Sequence, residues 1–132
     1  MYGIIFYKDK RGGEPVLDYM SELACRSDKD SRIKLQKIHE YINVLKAYGT
    51  QAGEPYLKHL DGQIWELRPI RDRILFAAFT GESFILLHHF VKKTKKTPSS
   101  QIEQAKRELE DFNIRDKLEK EAQTTKGASE NE

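Results

Sequence analysis

The spacing of the apolar residues changes at Gly53, and this change limits the chain to folds that combine helices with a sheet. Before Gly53, two apolar stripes recur every three or four positions and predict two helices that pack as a hairpin: Val16, Leu17, Met20 and Leu23, then Leu35, Ile38, Ile42 and Leu45. Pro15 suits the start of the first helix and Gly49 the end of the second. After Gly53, β-branched and aromatic runs predict strands over residues 63–68, 73–79 and 83–92.

The two ends of the chain complete the predicted fold. Residues 2–8 are β-branched and aromatic and predict a first strand, and a last helix is expected to begin near Thr97 or Ser100. The element order is then β-α-α-β-β-β-α. This is an α+β fold, in which an N-terminal helical hairpin and a C-terminal helix pack on a curved, mainly antiparallel sheet. We expect one domain over residues 1–114. The polar tail over residues 115–132 is expected to fray or to be disordered, because it buries too little apolar surface.

The composition argues against several classes of protein. No apolar run approaches the length of a membrane span, and the apolar stretch at the N-terminus is too short for a signal peptide, so the cytoplasm is the expected location. The single cysteine, Cys25, cannot form an internal disulfide and is interpreted as part of the core. One cysteine and four scattered histidines give no zinc spacing, and no metal or other cofactor is expected.

The net charge of +2 conceals an uneven distribution. Residues 56–96 carry eight Lys or Arg against four Asp or Glu, whereas residues 97–132 carry six against nine. The basic segment ends in the run Lys92-Lys93-Thr94-Lys95-Lys96. Such a local excess is typical of proteins that bind a polyanion. A solvated strand end would explain the charges equally well.

Three motifs in this basic segment resemble one known group of proteins. They are Leu60-Asp-Gly-Gln-Ile-Trp65-Glu-Leu-Arg68, Arg73-Ile-Leu-Phe, and His89-Phe-Val-Lys92-Lys93-Thr-Lys-Lys-Thr-Pro98. In order and spacing they are similar to the RelE/ParE superfamily, and most closely to its HigB-like, phage-derived branch. Each motif alone is weak, but the three occur in order on the predicted framework.

The resemblance implies a toxin of a type II toxin–antitoxin system. Nuclease members of that superfamily cut mRNA within the ribosomal decoding site without a metal, so the implied partners are the ribosome, mRNA and a cognate helix-turn-helix antitoxin. The toxin–antitoxin complex is expected to be a heterotetramer. Gyrase-inhibiting members share the fold, so a non-catalytic inhibitor of a protein target such as DNA gyrase is the alternative.

Metal-free RNA cleavage needs a base for the 2′-hydroxyl, a positive charge for the phosphate and an acid for the leaving 5′-oxygen. Arg73 matches the arginine with which the family contacts the scissile phosphate; a structural ion pair with Glu66 or Asp72 is the alternative reading. Glu66 stands where several relatives carry lysine, and it could be the general base or only hold Arg68 or Arg73 in place. Lys93 falls where the family stabilises the transition state or donates a proton.

The other candidates are phosphate ligands and histidines. The phosphate ligands implied by the resemblance and by the basic run are Lys58, Arg68, Lys92, Lys95 and Lys96, and solvated surface is the alternative, above all for Lys95 and Lys96. His88 and His89 are adjacent, so the pleat sends them to opposite faces, and either could be an acid or a base near neutral pH. A structural role is the commoner one for a strand histidine. His59 has a similar claim through some HigB-like relatives.

Strand alternation decides which candidates share a surface. Glu66 and Arg68 are predicted to face away from Trp65 and Leu67. On the last strand, Phe90 and Lys92 are predicted to share a face with His88.

Overall fold

A computed structural model describes residues 1–130 of the chain. The elements in chain order are β1 (Gly3–Phe6), α1 (Pro15–Cys25), α2 (Lys29–Tyr48), a short 3-10 turn (Gly49–Ala52), β2 (Leu57–Asp61), β3 (Ile64–Leu67), β4 (Asp72–Phe79), β5 (Ser83–Val91) and α3 (Ser99–Glu130). The predicted helical hairpin, the last helix and four of the strands are therefore present.

Local signals fix the ends of the helical hairpin. Pro15 is the first residue of α1. Asp28 caps α2 by accepting hydrogen bonds from the Ser31 backbone N–H and the Ser31 hydroxyl, both at 2.9 Å, and these bonds hold the pKa of the Asp28 carboxyl below its usual range. Gly49 ends α2 at φ +61°, where a Cβ would lie 2.9 Å from the Tyr2 ring, so a residue without a side chain is required.

The sheet has five strands in the order β1-β5-β4-β3-β2. Only the pairing of β1 with β5 is parallel, so the predicted α+β class and mainly antiparallel sheet are confirmed. The predicted order lacked β2. This edge strand buries Leu57 but exposes Lys58, His59 and Asp61, so it shows none of the apolar alternation that marks a strand in sequence.

The sheet separates two apolar cores. The helical hairpin covers one face, and its core contains Ile38, Leu45, Leu67, Phe76 and Leu86. Helix α3 covers the other face, and its core contains Ile64, Leu75, Ala77, Leu87 and Leu109. Burial of a large apolar side chain stabilises the folded state by about 1.5–3 kcal/mol, so the helical hairpin and α3 both hold the sheet in place.

The structure differs from the predicted tail. Helix α3 continues without a break to Glu130, and residues 131–132 lie outside the described part of the chain. The segment is rich in helix-forming residues, and ion pairs one turn apart support it: Arg115 with Asp111 at 2.6 Å and Lys120 with Asp116 at 3.0 Å. A helix can therefore persist there without an apolar core.

Cys25 also departs from its predicted place, because it is exposed at the last residue of α1 rather than buried. None of the helices in the described residues is long and apolar enough to cross a membrane.

Candidate active site

One end of the sheet carries a cavity of about 230 Å³, here called the basic cavity. It lies between the β2–β3 hairpin, the start of β4, the end of β5 and the loop that leads into α3. Its lining includes one carboxylate, that of Glu66, and six basic side chains: Lys58, Arg68, Arg73, Lys92, Lys95 and Lys96. The structure thus brings together seven of the residues predicted from the sequence.

Strand register places these side chains on one face. Glu66 pairs with Lys58 on β2 and with Leu75 on β4, and Arg73 pairs with Phe90 on β5. A β-bulge is required for Phe90 to lie there. Leu75 is opposite His88 while its neighbour Phe76 is opposite Leu86, so Leu87 is an extra residue on β5. Beyond this bulge the alternation of β5 is reversed, and Phe90 and Lys92 face the cavity.

Glu66 is buried, with 2% of its surface exposed, and it sits between two guanidinium groups. Its Oε1 accepts a hydrogen bond from the Thr97 hydroxyl and lies 3.9 Å from Arg73 Nε. Its Oε2 lies 3.6 Å from Arg68 Nε, which is beyond hydrogen-bond range. Arg68 Nε is itself buried without a hydrogen-bond partner among the described residues. The carboxylate therefore has one oxygen fixed by a hydroxyl and one held only by charge.

Arg73 is as buried as its partner, with 5% of its surface exposed. Its Nη1 donates to the carbonyl oxygens of Asp72 at 2.8 Å and Ile70 at 3.0 Å. Burial lowers the pKa of Arg73, and the neighbouring Glu66 opposes that effect. An arginine stays charged under such a shift, so the side chain is a fixed positive charge at the cavity wall.

The lysines of the cavity are not neutralised by acids. Within the residues whose side chains are described, 1–124, no carboxylate lies within 4.0 Å of Lys58, Lys92, Lys95 or Lys96. The Thr94 hydroxyl donates to the Lys96 carbonyl at 2.6 Å and shapes the loop that carries them. Lys93, a predicted catalytic residue, is exposed and lines a neighbouring hollow instead of the basic cavity.

The histidines are separated by the fold. His88 and His89 do face opposite sides of the sheet, as predicted, but neither lines the cavity. The two ring nitrogens of His88 contact Glu108 at 2.5 Å and Gln101 at 2.8 Å beneath α3. His89 donates to Asp72 at 2.9 Å on the hairpin face and stacks on a tyrosine of α1.

His59 borders the basic cavity, but it pairs with Trp65 of β3, so its ring lies on the hairpin face of the sheet, away from Glu66. Its Nε2–H donates to the Gly62 carbonyl at 2.8 Å, and its ring packs edge-on against Trp65. In the neutral ring this leaves Nδ1 as the nitrogen with a free lone pair. Within the described residues, no three His, Cys, Asp or Glu side chains come close enough together to hold a metal ion.

Residues 26–110, more than half of the chain, match the family described as "Phage derived protein Gp49-like (DUF891)". The chain belongs to the Gp49-like family. This is a RelE-like, toxin-like family of toxin–antitoxin systems, in agreement with the coarser part of the resemblance found in the motifs. A search of curated proteins finds no match.

Strands β2 to β5 and the start of α3 lie within the Gp49-like match, which therefore spans the basic cavity. The cavity also contains residues that the sequence did not single out. The sequence places Thr97 near the start of the last helix, but in the structure its hydroxyl donates a hydrogen bond to Glu66. Leu60, Phe90 and Ile102 form an apolar wall. Thr97 follows the lysine run directly, and that position is the one sequence signal that could have suggested it.

Proposed function

We propose that this Gp49-like protein is a HigB-like toxin that cleaves mRNA on the ribosome without a metal. The observation that carries the proposal is the contact of a buried carboxylate with two guanidinium groups inside a cavity rimmed by lysines that pair with no carboxylate of the described residues. A phosphodiester would find fixed positive charge there, and its 2′-hydroxyl would find a base. A surface that only bound protein would not require a charged group as deeply buried as Glu66.

In this proposal the residues divide the chemistry among them. Glu66, through Oε2, takes the proton from the 2′-hydroxyl, whose oxygen attacks the phosphorus atom. Arg73 stabilises the extra negative charge on the phosphate, which suits a donor that is fixed before the reaction. The leaving 5′-oxygen must receive a proton, and the ammonium group of a lysine of the cavity is the proposed donor. The products are a 2′,3′-cyclic phosphate and a 5′-hydroxyl.

A second role for Glu66 stays open within the same function. The carboxylate contacts both arginines, so it could serve only to hold Arg73 in position. The base would then be another group at the cavity. The base role and the anchor role of Glu66 predict different effects on cleavage and on binding when the negative charge of Glu66 is removed.

The proposed partners are mRNA, the ribosome and a cognate helix-turn-helix antitoxin, with a heterotetrameric toxin–antitoxin complex. Membership of a toxin–antitoxin family supports the antitoxin. The small size of the cationic surface supports dependence on the ribosome, since few phosphate contacts give weak, salt-sensitive binding to free RNA. Lys58, Lys92, Lys95 and Lys96 are the proposed general phosphate ligands.

The test is a cell-free translation reaction with the mRNA ends mapped at nucleotide resolution. The wild-type protein is expected to produce new mRNA ends only when ribosomes are present, and Arg73→Ala is expected to produce on the order of 100-fold fewer. Arrest of translation with intact mRNA would refute the nuclease and favour a non-catalytic inhibitor. Equal cleavage of purified RNA would refute the dependence on the ribosome.

A further inference from the structure

A second concave surface, also lined mainly by basic side chains, adjoins the basic cavity. It is a hollow of about 390 Å³ between the β3–β4 turn and the loop after β5, and is called here the turn hollow. Besides Ile70 and Thr94, its lining consists of five basic side chains and no carboxylate: Arg71, Arg73, Lys92, Lys93 and Lys95. Nothing in the nuclease chemistry proposed above uses Arg71 or Ile70.

The turn that forms one wall is held in a strained conformation. Ile70 has φ +56°, which is unfavourable for a β-branched residue. Its carbonyl accepts the Arg73 guanidinium at 3.0 Å, and the Asp72 N–H donates to the Pro69 carbonyl at 3.0 Å. Such strain persists only where the surroundings impose it, and it is commonest at functional sites.

The loop on the other side is tied to the same turn. The Lys92 N–H donates to the Arg71 carbonyl at 2.8 Å, so the strand exit that carries Lys93 is fixed relative to Arg71. Ile70 remains 51% exposed between these cations. A rigid apolar side chain flanked by positive charges suits a ligand with anionic and apolar parts in alternation, as in a nucleic acid strand.

The turn hollow and the basic cavity are contiguous. Both are lined by Arg73, Lys92, Thr94 and Lys95, so these residues form the boundary between them. Among the residues whose side chains are described, no carboxylate lies within 4.0 Å of Arg71, Lys92, Lys93 or Lys95, so these cations repel one another and an anion would relieve that repulsion. A strand with one phosphate at Arg73 in the basic cavity would place its next phosphate near Arg71 and Lys93.

We propose that the turn hollow is a second phosphate site, which binds the RNA phosphate next to the one in the basic cavity through Arg71 and Lys93. Ile70 packs against the sugar or base between the two phosphates. This proposal rests on the proposed function in that the ligand is the RNA strand. It assigns Lys93 to binding of the neighbouring phosphate rather than to the reacting one.

The test is the binding of a short 2′-O-methyl RNA oligonucleotide, which cannot be cleaved because its 2′-hydroxyls are blocked. Fluorescence anisotropy at a series of low salt concentrations gives the slope of log affinity against log salt. The double variant Arg71→Ala/Lys93→Ala is expected to lower the magnitude of that slope by about 0.7, the value for one phosphate of a single strand. The matched control is Arg107→Ala/Lys117→Ala, which removes the same two charges from exposed positions of α3 outside both hollows.

The length of the RNA ligand provides a second test of the proposal. A dinucleotide has a single phosphodiester, so the Arg71→Ala/Lys93→Ala variant is expected to bind it as the wild-type protein does. An equal loss of affinity for the dinucleotide and the longer strand would overturn the proposal, because the two residues would then act on the same phosphate as Arg73. A slope that matches that of the Arg107→Ala/Lys117→Ala control would overturn it as well. Thermal melts of both variants check that each is folded.

Cleavage of unmodified mRNA on ribosomes is measured in parallel, so that the two proposals fail separately. Cleavage by the wild-type protein together with an unchanged salt slope in the Arg71→Ala/Lys93→Ala variant would refute the second phosphate site alone. A changed slope without any cleavage by the wild-type protein would refute the nuclease and leave the site as an RNA-binding surface.

Discussion

Replacing Glu66 with Gln removes the negative charge between Arg68 and Arg73 but changes little else. The amide has nearly the same volume as the carboxylate, and its oxygen can still accept the hydrogen bond from Thr97. The change therefore isolates the charge of Glu66 from its shape. It also bears on both possible roles of this residue, the general base and the anchor of Arg73.

The expected loss of stability follows from burial and distance. At 3.6 and 3.9 Å, each attraction to a guanidinium is about 4 kcal/mol before desolvation, for an effective dielectric constant of ~20. The cost of burying the carboxylate offsets much of this, and removal of one partner from a buried pair typically costs about 3–5 kcal/mol. Water screens the attraction between Glu66 and Arg68, whose side chain is 24% exposed. The expected loss in the free energy of unfolding is therefore about 3 kcal/mol.

Urea unfolding followed by the fluorescence of Trp65 measures this loss. With a slope of ~1.5–2 kcal/mol per M, the midpoint should fall by about 1.5–2 M. Glu54→Gln is the matched control, because Glu54 lies 3.9 Å from the same Arg68 but is 68% exposed. That variant should lose less than about 0.5 kcal/mol. An unchanged midpoint for Glu66→Gln would refute the buried ion pairs.

Single-turnover cleavage on programmed ribosomes, with a parallel ribosome-binding assay, separates the chemical roles. If Glu66 is the base, cleavage by Glu66→Gln should fall by about 10²–10⁴-fold while binding survives. If Glu66 only anchors Arg73, cleavage should fall partially. Near-normal cleavage would eliminate the carboxylate base and transfer that role to another group at the cavity.

Three further predictions concern single side chains. Arg73→Ala should reduce cleavage by on the order of 100-fold and, because Arg73 is buried against Glu66, should cost about 3–5 kcal/mol of stability; full activity with a normal thermal melt would contradict both roles. Ile70→Gly should raise the free energy of unfolding by about 1 kcal/mol, because glycine adopts φ +56° without strain, and a lower urea midpoint would contradict the strain. Burial and the hydrogen bond to Asp111 raise the pKa of Tyr7 to about 12 from 10.0. The folded state therefore favours the neutral phenol of Tyr7, and the stabilisation that this provides should be lost as the pH rises from 10 through about 12. An absorbance titration would detect the late ionisation of Tyr7, and Tyr7→Phe would abolish it.

Regular alternation predicts which face of the sheet each candidate residue of β3 and β4 occupies. On β3, alternation alone separates Glu66 from Trp65 and Leu67, and the structure has Glu66 on the α3 face and the other two on the hairpin face. On β4 the same rule places Arg73 with Leu75. These placements follow because successive side chains of any strand point to opposite faces.

Alternation correctly predicts that Phe90 shares a face with His88, because both residues lie beyond the bulge. Counted forward from Phe84, which faces the helical hairpin, Phe90 would have been assigned to the hairpin core. The bulge at Leu87 reverses the pattern, and it depends on how β4 and β5 pair rather than on β5 alone. No residue type in the run Ile85-Leu86-Leu87-His88 marks it.

By itself, the sequence determined the helices, four strands, the two faces of the sheet and the concentration of positive charge, because each depends on residues near one another in the chain. Only the tertiary structure decided which of those charges meet. It buried Glu66 between Arg68 and Arg73, bound Thr97 to it across 31 residues, placed Lys93 in the turn hollow, and covered His88 with α3. Such contacts depend on strand order, register and the path of a loop, and these are set by the packing of the whole chain.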